Sequence, residues 1–501
     1  MFEGRFRLSL GVFFLLTSVL SRPAASAQVT VSGRELLVNG QPFTVRGVDY
    51  SPYPVGSTAN GNSPNCVGPY FWWADNPIFT ADFPLIKAMG ANTIRAYGIL
   101  NDTSTATILQ VRAVLDAANA NGLYVIMNYY PSHFIDPSIP ANQAMWQNGF
   151  LAAINAYKDK PAVLIWEFGN EQNLDNGQYI GWYPFVNTVA GLAKSADPDH
   201  PVMTVEGECP TCSPAIPFTI GVQPLHNADD ADMTNLDIWG VNVYRGPTFQ
   251  GLFQTLASTT SKPILVTEFG KDAWHDAINA EDQAMQASHL NSQWGEITGN
   301  LSASGAGSQD LIGGVVFEWT DEWWKDTNND CQTHGTQVLF TIPADTVDPN
   351  YQNEWFGLAA ISPVNAVTNP DGTQRLLRSG YATMQTFWNP AAQQGTGAAA
   401  TNFFSGTVHN YPNPFQLGAG STKFVVLAEE AGPVDIRLYD AGGQFVTSLS
   451  GSVTPPAQLE IIWDGHNSQG ALVSPGLYIA KIHGHSASHD ETQYRRVVGV
   501  K

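Results

Sequence analysis

Two glutamates carry the clearest chemistry in this sequence. Glu171 ends the run Trp166-Glu167-Phe168-Gly169-Asn170-Glu171, and Glu268 sits in Val266-Thr267-Glu268-Phe269-Gly270. Each closes a short, apolar, β-rich segment. A pair of carboxylates on one rim can divide the work of breaking an acetal: one protonates a poor alkoxide leaving group, the other meets the cationic carbon. Glu167 is the nearest competitor, but strand alternation turns it to the face opposite Trp166 and Phe168, which ranks it second. Glu206 and Glu208, after a later β segment, either line the cleft or are solvated. Tyr50, Tyr97 and Asn128 also end β segments, so they either touch substrate or pack at the mouth of the fold. The run Trp319-Thr320-Asp321-Glu322-Trp323-Trp324 reads as a stacking platform, or in part as core. Asp326-Thr327-Asn328-Asn329-Asp330 begins like a calcium loop. Cys331 stands where the sharp turn needs Gly, however, and no Glu follows at the twelfth position, so no metal is expected. No zinc spacing or Ser-His-Asp pattern stands out, and the acetal chemistry needs no cofactor.

Rim carboxylates must be positioned by repeated elements, and the sequence supplies them. Eight β candidates cover residues 44–48, 92–97, 123–128, 163–168, 202–206, 238–244, 264–268 and 314–319. Helical signals intervene, as in 106–119, stopped by Gly122, and in 178–196, which ends before Asp197-Pro198. Eight β segments alternating with helices predict a closed (β/α)8 barrel, whose active site lies at the C-terminal ends of the strands. An open doubly wound sheet would carry a Gly-rich phosphate loop after its first strand, and the sequence has none there. Glu171 after the fourth segment and Glu268 after the seventh therefore share a rim. They stand about three βα units apart at ~30 residues each.

The 501-residue chain is long enough for more than one domain. Only 13% of residues are charged, whereas 11% are aromatic, including 14 Trp, a balance that suits neutral, flat-faced ligands such as sugars. A net charge of −21 argues against nucleic acid and anionic lipid as partners, since their phosphates would be repelled. Arg5 and Arg7, an apolar run over 8–20 and Ala25-Ser26-Ala27 read as a secretory signal over 1–27, cleaved before Gln28. No later stretch is apolar and long enough to span a membrane. The mature chain is expected to be secreted or at the cell surface, where disulfides persist. Cys209 and Cys212, followed by a loop-like Ser213-Pro214-Ala215-Ile216-Pro217, read as a small structural disulfide, and Cys66 and Cys331 pair by elimination. Residues 28–390 form the expected barrel domain and the Ala-, Gln- and Gly-rich 391–402 a linker. Residues 403–501 alternate strands and turns like an Ig-like β-sandwich, with candidates at 423–427, 434–439, 444–449, 458–463 and 476–483.

Asn170-Glu171 after strand four and Glu268 after strand seven resemble the clan A retaining glycoside hydrolases. Three other residues match that clan in order: Arg95 in Thr93-Ile94-Arg95-Ala96-Tyr97, Tyr244 in Asn242-Val243-Tyr244, and Trp319. The resemblance implies Glu171 as acid/base, Glu268 as nucleophile and Asn170 as partner of the sugar 2-hydroxyl. It also implies Arg95 and Tyr244 beside the nucleophile, and Trp319 beneath the sugar. Val45-Arg46-Gly47-Val48 and Gly90-Ala91-Asn92-Thr93-Ile94-Arg95 are similar both to the barrel of the β-galactosidase and β-mannosidase family and to the β-1,3-glucanosyltransferases. The implied partner is an oligo- or polysaccharide. The tail resembles the sorting domain of type IX secretion and the Ig-like repeat of flagellar hook-capping proteins. That match rests on Tyr411-Pro412-Asn413-Pro414-Phe415, Leu438-Tyr439-Asp440-Ala441-Gly442-Gly443, Trp463-Asp464-Gly465, Pro475-Gly476-Leu477-Tyr478 and the ending Arg495-Arg496-Val497-Val498. It implies secretion machinery as a further partner. The rival to an enzyme is an inactive glycan-binding barrel, which would normally lack one of the two carboxylates.

Overall fold

The computed structural model describes residues 27–58, 66–74, 78–174, 179–209, 217–222, 227–325, 331–361, 375–389, 403–404, 408–428, 430–440, 444–454, 459–486 and 489–501. The expected leader (apart from Ala27), Cys212, the 326–330 run and the linker at 391–402 lie outside these residues. The chain divides into two compact units, one running to residue 390 and the other from residue 391.

The first unit is a closed parallel barrel. Its strands are β1 (Val45–Asp49), β2 (Thr93–Ala96), β3 (Tyr124–Tyr129), β4 (Val163–Asn170), β5 (Val202–Gly207), β6 (Ile238–Asn242), β7 (Ile264–Phe269) and β8 (Leu311–Val316). Each pairs with its neighbour in sequence, and β8 closes on β1. Nearly every strand residue is buried, as parallel strands covered on both faces must be, which is why they read as unbroken apolar runs. The helices are α1 (Phe79–Met89), α2 (Thr105–Ala120), α3 (Pro140–Tyr157), α4 (Trp182–Ala196), α5 (Leu252–Thr259), α6 (Gln283–Gly299) and α7 (Ser379–Trp388). The Ser104 side chain caps α2 by accepting from Thr107 N, and Val111, Val114, Leu115 and Ala118 form its buried stripe. Among the described residues no helix lies between β5 and β6. The last strand ends at Val316 rather than at residue 319, a difference with consequences for Trp319.

Three short antiparallel strands precede the barrel, Val29–Ser32, Glu35–Val38 and Gln41–Pro42. They bring Val29, Leu36 and Val38 into one apolar cluster with Val45, Ile238 and Leu265, near the N-terminal ends of the barrel strands, so they cap the floor. At the opposite end, a disulfide joins Cys66 in the segment after β1 to Cys331 in the segment after β8, with their Cα atoms 5.9 Å apart. Cys209 is also disulfide-bonded.

The second unit has strands β9 (His409–Tyr411), β10 (Phe415–Gln416), β11 (Thr422–Val426), β12 (Gly432–Asp440), β13 (Phe445–Val453), β14 (Leu459–Trp463), β15 (Gly476–His485) and β16 (Asp490–Val500). They form a three-stranded sheet, β9-β11-β14, and a five-stranded sheet, β10-β16-β15-β12-β13. Phe424, Ile436, Leu438, Ile461, Trp463, Ala480, Ile482 and Val497 meet in its core.

Candidate active site

The site is built around one buried cation. Arg95 on β2 has no exposed surface. Its Nε and Nη2 donate to the two oxygens of Glu167 on β4, at 2.8 and 2.7 Å. Nη2 also donates to Asn170 Oδ1 at 2.7 Å, and Nη1 to Asp49 Oδ1 at 3.2 Å and Glu268 Oε1 at 3.1 Å. Only a planar, five-donor guanidinium can serve three carboxylates and an amide at once. Leaving any one of these carboxylates charged, buried and unpaired would cost several kcal/mol. Burial pushes the Asp49 carboxyl well above the usual range against the pull of Arg95, and the charge of Glu268 adds to the push.

Glu268, near the end of β7, is 6% exposed and held from both sides. Besides Arg95, the Tyr97 hydroxyl donates to its Oε1 at 2.5 Å and the Tyr244 hydroxyl to its Oε2 at 2.8 Å. Burial pushes both phenols well above their ordinary value, so they stay protonated and act as donors.

Glu171 sits just past β4 in another environment. Gly169 and Glu171 take left-handed backbone conformations, φ 88° and 53°, the second uncommon for a residue with a side chain. The Glu171 N–H donates to Val205 O at 2.9 Å, and its Oε1 accepts from Asn242 Nδ2 at 3.0 Å. The Asn242 orientation is fixed by Thr267 Oγ1, which donates to its Oδ1 at 2.8 Å. Gly207 at the end of β5 makes room, because a Cβ there would stand 2.7 Å from Glu171 Oε1. Burial first, and then the charge of Glu268, push the Glu171 carboxyl up to about 7, against the Asn242 bond and Arg95, which lower it. Asn242 Nδ2 also donates to Asn170 Oδ1 at 3.0 Å, so Asn170 receives both its contacts on the carbonyl oxygen.

Arg95, Asn170, Glu171, Tyr244, Glu268 and Tyr97 thus come together. Three other residues expected to touch sugar do not reach the mouth, and each has no exposed surface. The Tyr50 hydroxyl donates to Asp82 at 3.0 Å, and its ring packs on Trp72 and Phe83. Asn128 donates to Glu167 Oε1 at 2.7 Å and accepts from Gly98 N, which makes it a brace for the carboxylate that braces Arg95. Trp319 lies beyond the end of β8, where its N–H donates to Asp49 O and its carbonyl accepts from Ala359 N. The ring leaves the barrel and packs on Tyr381 of α7. With β8 ending three residues earlier than expected, Trp319 belongs to the packing layer rather than beneath a ligand. Glu206 accepts from Tyr183 and Thr219 in the core, and Glu208, just past β5, forms a part-buried pair with Arg245, just past β6.

Asp49, Asn242, Glu318 and Lys325 were not singled out in the sequence. Asp49 and Asn242 carry a legible signal, a polar residue closing a buried apolar strand, where it must find a partner. Lys325 pairs with Glu322 and lies 4.6 Å over the Phe317 ring, and Glu322 accepts from Ser51 at 3.1 Å. Burial, with the neighbouring Glu322, holds the Glu318 carboxyl well above the usual range. Trp323 and Trp324 are half-buried, stacked on His334 and edge-on to Tyr53.

A family model described as Cellulase (glycosyl hydrolase family 5) matches residues 39–294, a stretch that holds β1 to β7 and both glutamates. A 1,3-beta-glucanosyltransferase of Saccharomyces cerevisiae is 24% identical over 76% of this chain and 70% of its own length. A 1,3-beta-glucanosyltransferase of Schizosaccharomyces pombe is 30% identical over 38% of this chain and 37% of its own. Among solved structures, a Bacteroides uniformis beta-glucuronidase aligns with 95% of this chain at a TM-score of 0.50 and 14% identity. The chain spans about half, 48%, of that glucuronidase, and the likeness is one of fold.

Proposed function

The chain belongs to glycosyl hydrolase family 5 and so is an enzyme of glycosidic bonds; within that family we propose that it cleaves or transfers β-linked glucan chains with retention, through a covalent glycosyl-enzyme. The observation that carries this reading is the contrast between the two rim carboxylates. Glu268 receives a guanidinium and two phenol donors, which stabilise an anion, while Glu171 receives one amide and is pushed up to about 7. Paired carboxyls in unlike environments divide into nucleophile and acid.

In the first step the Glu268 carboxylate attacks the anomeric carbon as the bond to the leaving oxygen breaks, and that oxygen takes the proton of Glu171. The ester formed at Glu268 has no charge, so one of the causes that raise the Glu171 pKa is gone and Glu171 remains ionised. It then takes a proton from water, or from a sugar hydroxyl, as that oxygen attacks the anomeric carbon and frees Glu268. Water gives hydrolysis and a hydroxyl gives transfer. Asn170, its carbonyl engaged by Arg95 and Asn242, offers its NH2 to the sugar 2-hydroxyl, a contact that strengthens in the transition state. A neutral glucan is supported by the names of the yeast relatives and by charge. Among the described residues, the carboxylates Glu167, Glu268 and Glu322 are set against the cations Arg95 and Lys325, and Asp49, Glu171 and Glu318, pushed up by burial, add no positive charge, a balance hostile to a uronate.

Azide separates the roles. With Glu268→Gly, azide should restore turnover of an activated aryl β-glucoside and give the inverted glycosyl azide; with Glu171→Gly it should give the retained one. Exchanged products would reverse the assignment, and no rescue at either position would count against a covalent route. We further propose export by the N-terminal leader and sorting by the tail through type IX secretion, which the sequence resemblances support. Deleting residues 402–501 should leave turnover of small substrates within a few-fold and trap the enzyme in the periplasm of a type IX host. A truncated enzyme that reaches the surface would refute the sorting role.

A further inference from the structure

Among the described residues, the tail carries a side-chain cluster that the proposed catalysis and sorting do not call on. Along β15, Ala480, Ile482 and Gly484 turn into the buried face, which puts His483 and His485 together on the other. β12 runs antiparallel to β15 and sets Asp435 directly across from His483, on that same outer face. One ligand-capable atom of each of Asp435, His483 and His485 lies within 4.8 Å of the others. The two imidazoles stack with centroids 5.3 Å apart. From the other side, β16 places Asp490 across from His485, and Asp490 Oδ1 stands 2.8 Å from His483 Nε2. An ordinary surface ion pair accounts for His483 with Asp490. It does not account for His485, whose Nδ1 is enclosed and has no hydrogen-bond partner among the described residues.

We propose that Asp435, His483 and His485 form a binding site for a divalent transition-metal ion of the zinc type, joining β12 to β15, with Asp490 orienting His483 from β16. Two imidazoles and a carboxylate suit zinc, copper or nickel, whereas calcium and magnesium prefer all-oxygen shells. A carboxylate behind a ligating imidazole fixes its ring and raises its basicity, the arrangement common to histidine metal sites. The three donors come from rigid strands in register, so little has to be ordered on binding, and the remaining coordination positions open outward to water.

The test is calorimetric titration of chelator-treated, full-length protein with zinc chloride. The chain has 11 His, so the measured quantity is the difference between variants rather than total zinc. His485→Gln and Asp435→Asn should each abolish one saturable equivalent, and Asp490→Asn should weaken that same equivalent about 10–100-fold. Calcium should not compete. Electron paramagnetic resonance of the copper(II) form should show two nitrogen donors, reduced to one in His485→Gln. Circular dichroism and turnover of an aryl β-glycoside, which belongs to the other unit, should match wild type in every variant. Equal zinc stoichiometry in wild type and variants, or calcium competing on equal terms, would overturn the proposal. Catalysis and sorting do not enter either result.

Discussion

Replacing Glu268 by Gln should lower the Glu171 pKa, and the size of the drop follows from the site. Two causes raise that carboxyl to about 7, burial first and the charge of Glu268 second. Glu268→Gln removes the second while keeping the shape: the amide carbonyl can still accept from Tyr97 and Arg95, and the NH2 then faces Tyr244, whose hydroxyl oxygen can accept from it. Across the ~5.5 Å that a retaining pair requires, and at an effective dielectric of ~20, one unit charge is worth about 3 kcal/mol. That is about 2 pKa units. Glu171 should therefore titrate near 5 in the variant, still above its unperturbed value because burial remains. The assay is a carbon-13 NMR titration of side-chain-labelled glutamate, with Glu171→Gln identifying the resonance. The same drop should appear in wild type once a 2-fluoro glycoside has esterified Glu268. A Glu171 that titrates within about half a unit of its wild-type value in both samples would refute the coupling. The acid/base cycle would then need another explanation.

Further expectations follow from neighbouring contacts. Tyr97→Phe and Tyr244→Phe each remove a hydrogen bond to a charged group, worth about 1.5–3 kcal/mol, so kcat should fall about 10–100-fold; a loss under threefold would mean that Glu268 does not depend on them. Because the folded-state pKa of Glu171 is raised, the folded protein holds that proton more tightly than the unfolded chain does. The associated stability is fully present below about 4.5 and is lost as pH rises to about 7. Glu171→Gln should accordingly be more stable than wild type to urea at pH 8 by roughly 1–3 kcal/mol, after allowance for its partial exposure, and nearly equal at pH 4.5. Gly207→Ala sets a methyl against Glu171 Oε1 and should slow substrates with poor leaving groups far more than activated aryl glycosides; an equal loss on both would place the defect elsewhere.

The barrel was legible because parallel strands covered on both faces must be apolar throughout, and Val163–Asn170 and Ile264–Phe269 leave little other reading. The two rim carboxylates were legible as candidates because active sites on this barrel lie where such strands end. The second layer was not. Asn128 and Tyr50 end strands as Tyr97 does, and only the neighbouring chain decides which of the three meets Glu268 and which is sealed beneath it. Trp319 was misplaced because the stretch 314–319, apolar but for Glu318, does not show where β8 stops. The floor strands at 29–42 escaped notice because two-to-four-residue strands carry too few side chains to show a period. Asp49, Glu167 and Asn242 show that polar residues inside or at the end of a buried strand deserve the attention usually given to its exposed tip.

The bridge between Cys66 and Cys331 lies on the seam of the barrel. β1 and β8 are the first and last staves, and the hydrogen bonds between them join the two ends of the stave order. Sulfur repeats that closure above the rim, between segments that approach the cleft from either side of the seam. The mouth therefore has an edge sewn along its seam. Across the seam the two segments cannot part without breaking that disulfide. Under reducing conditions that tie is lost, and turnover of a polymer laid across the seam should change more than turnover of a small aryl glycoside, which lies at the carboxylates alone.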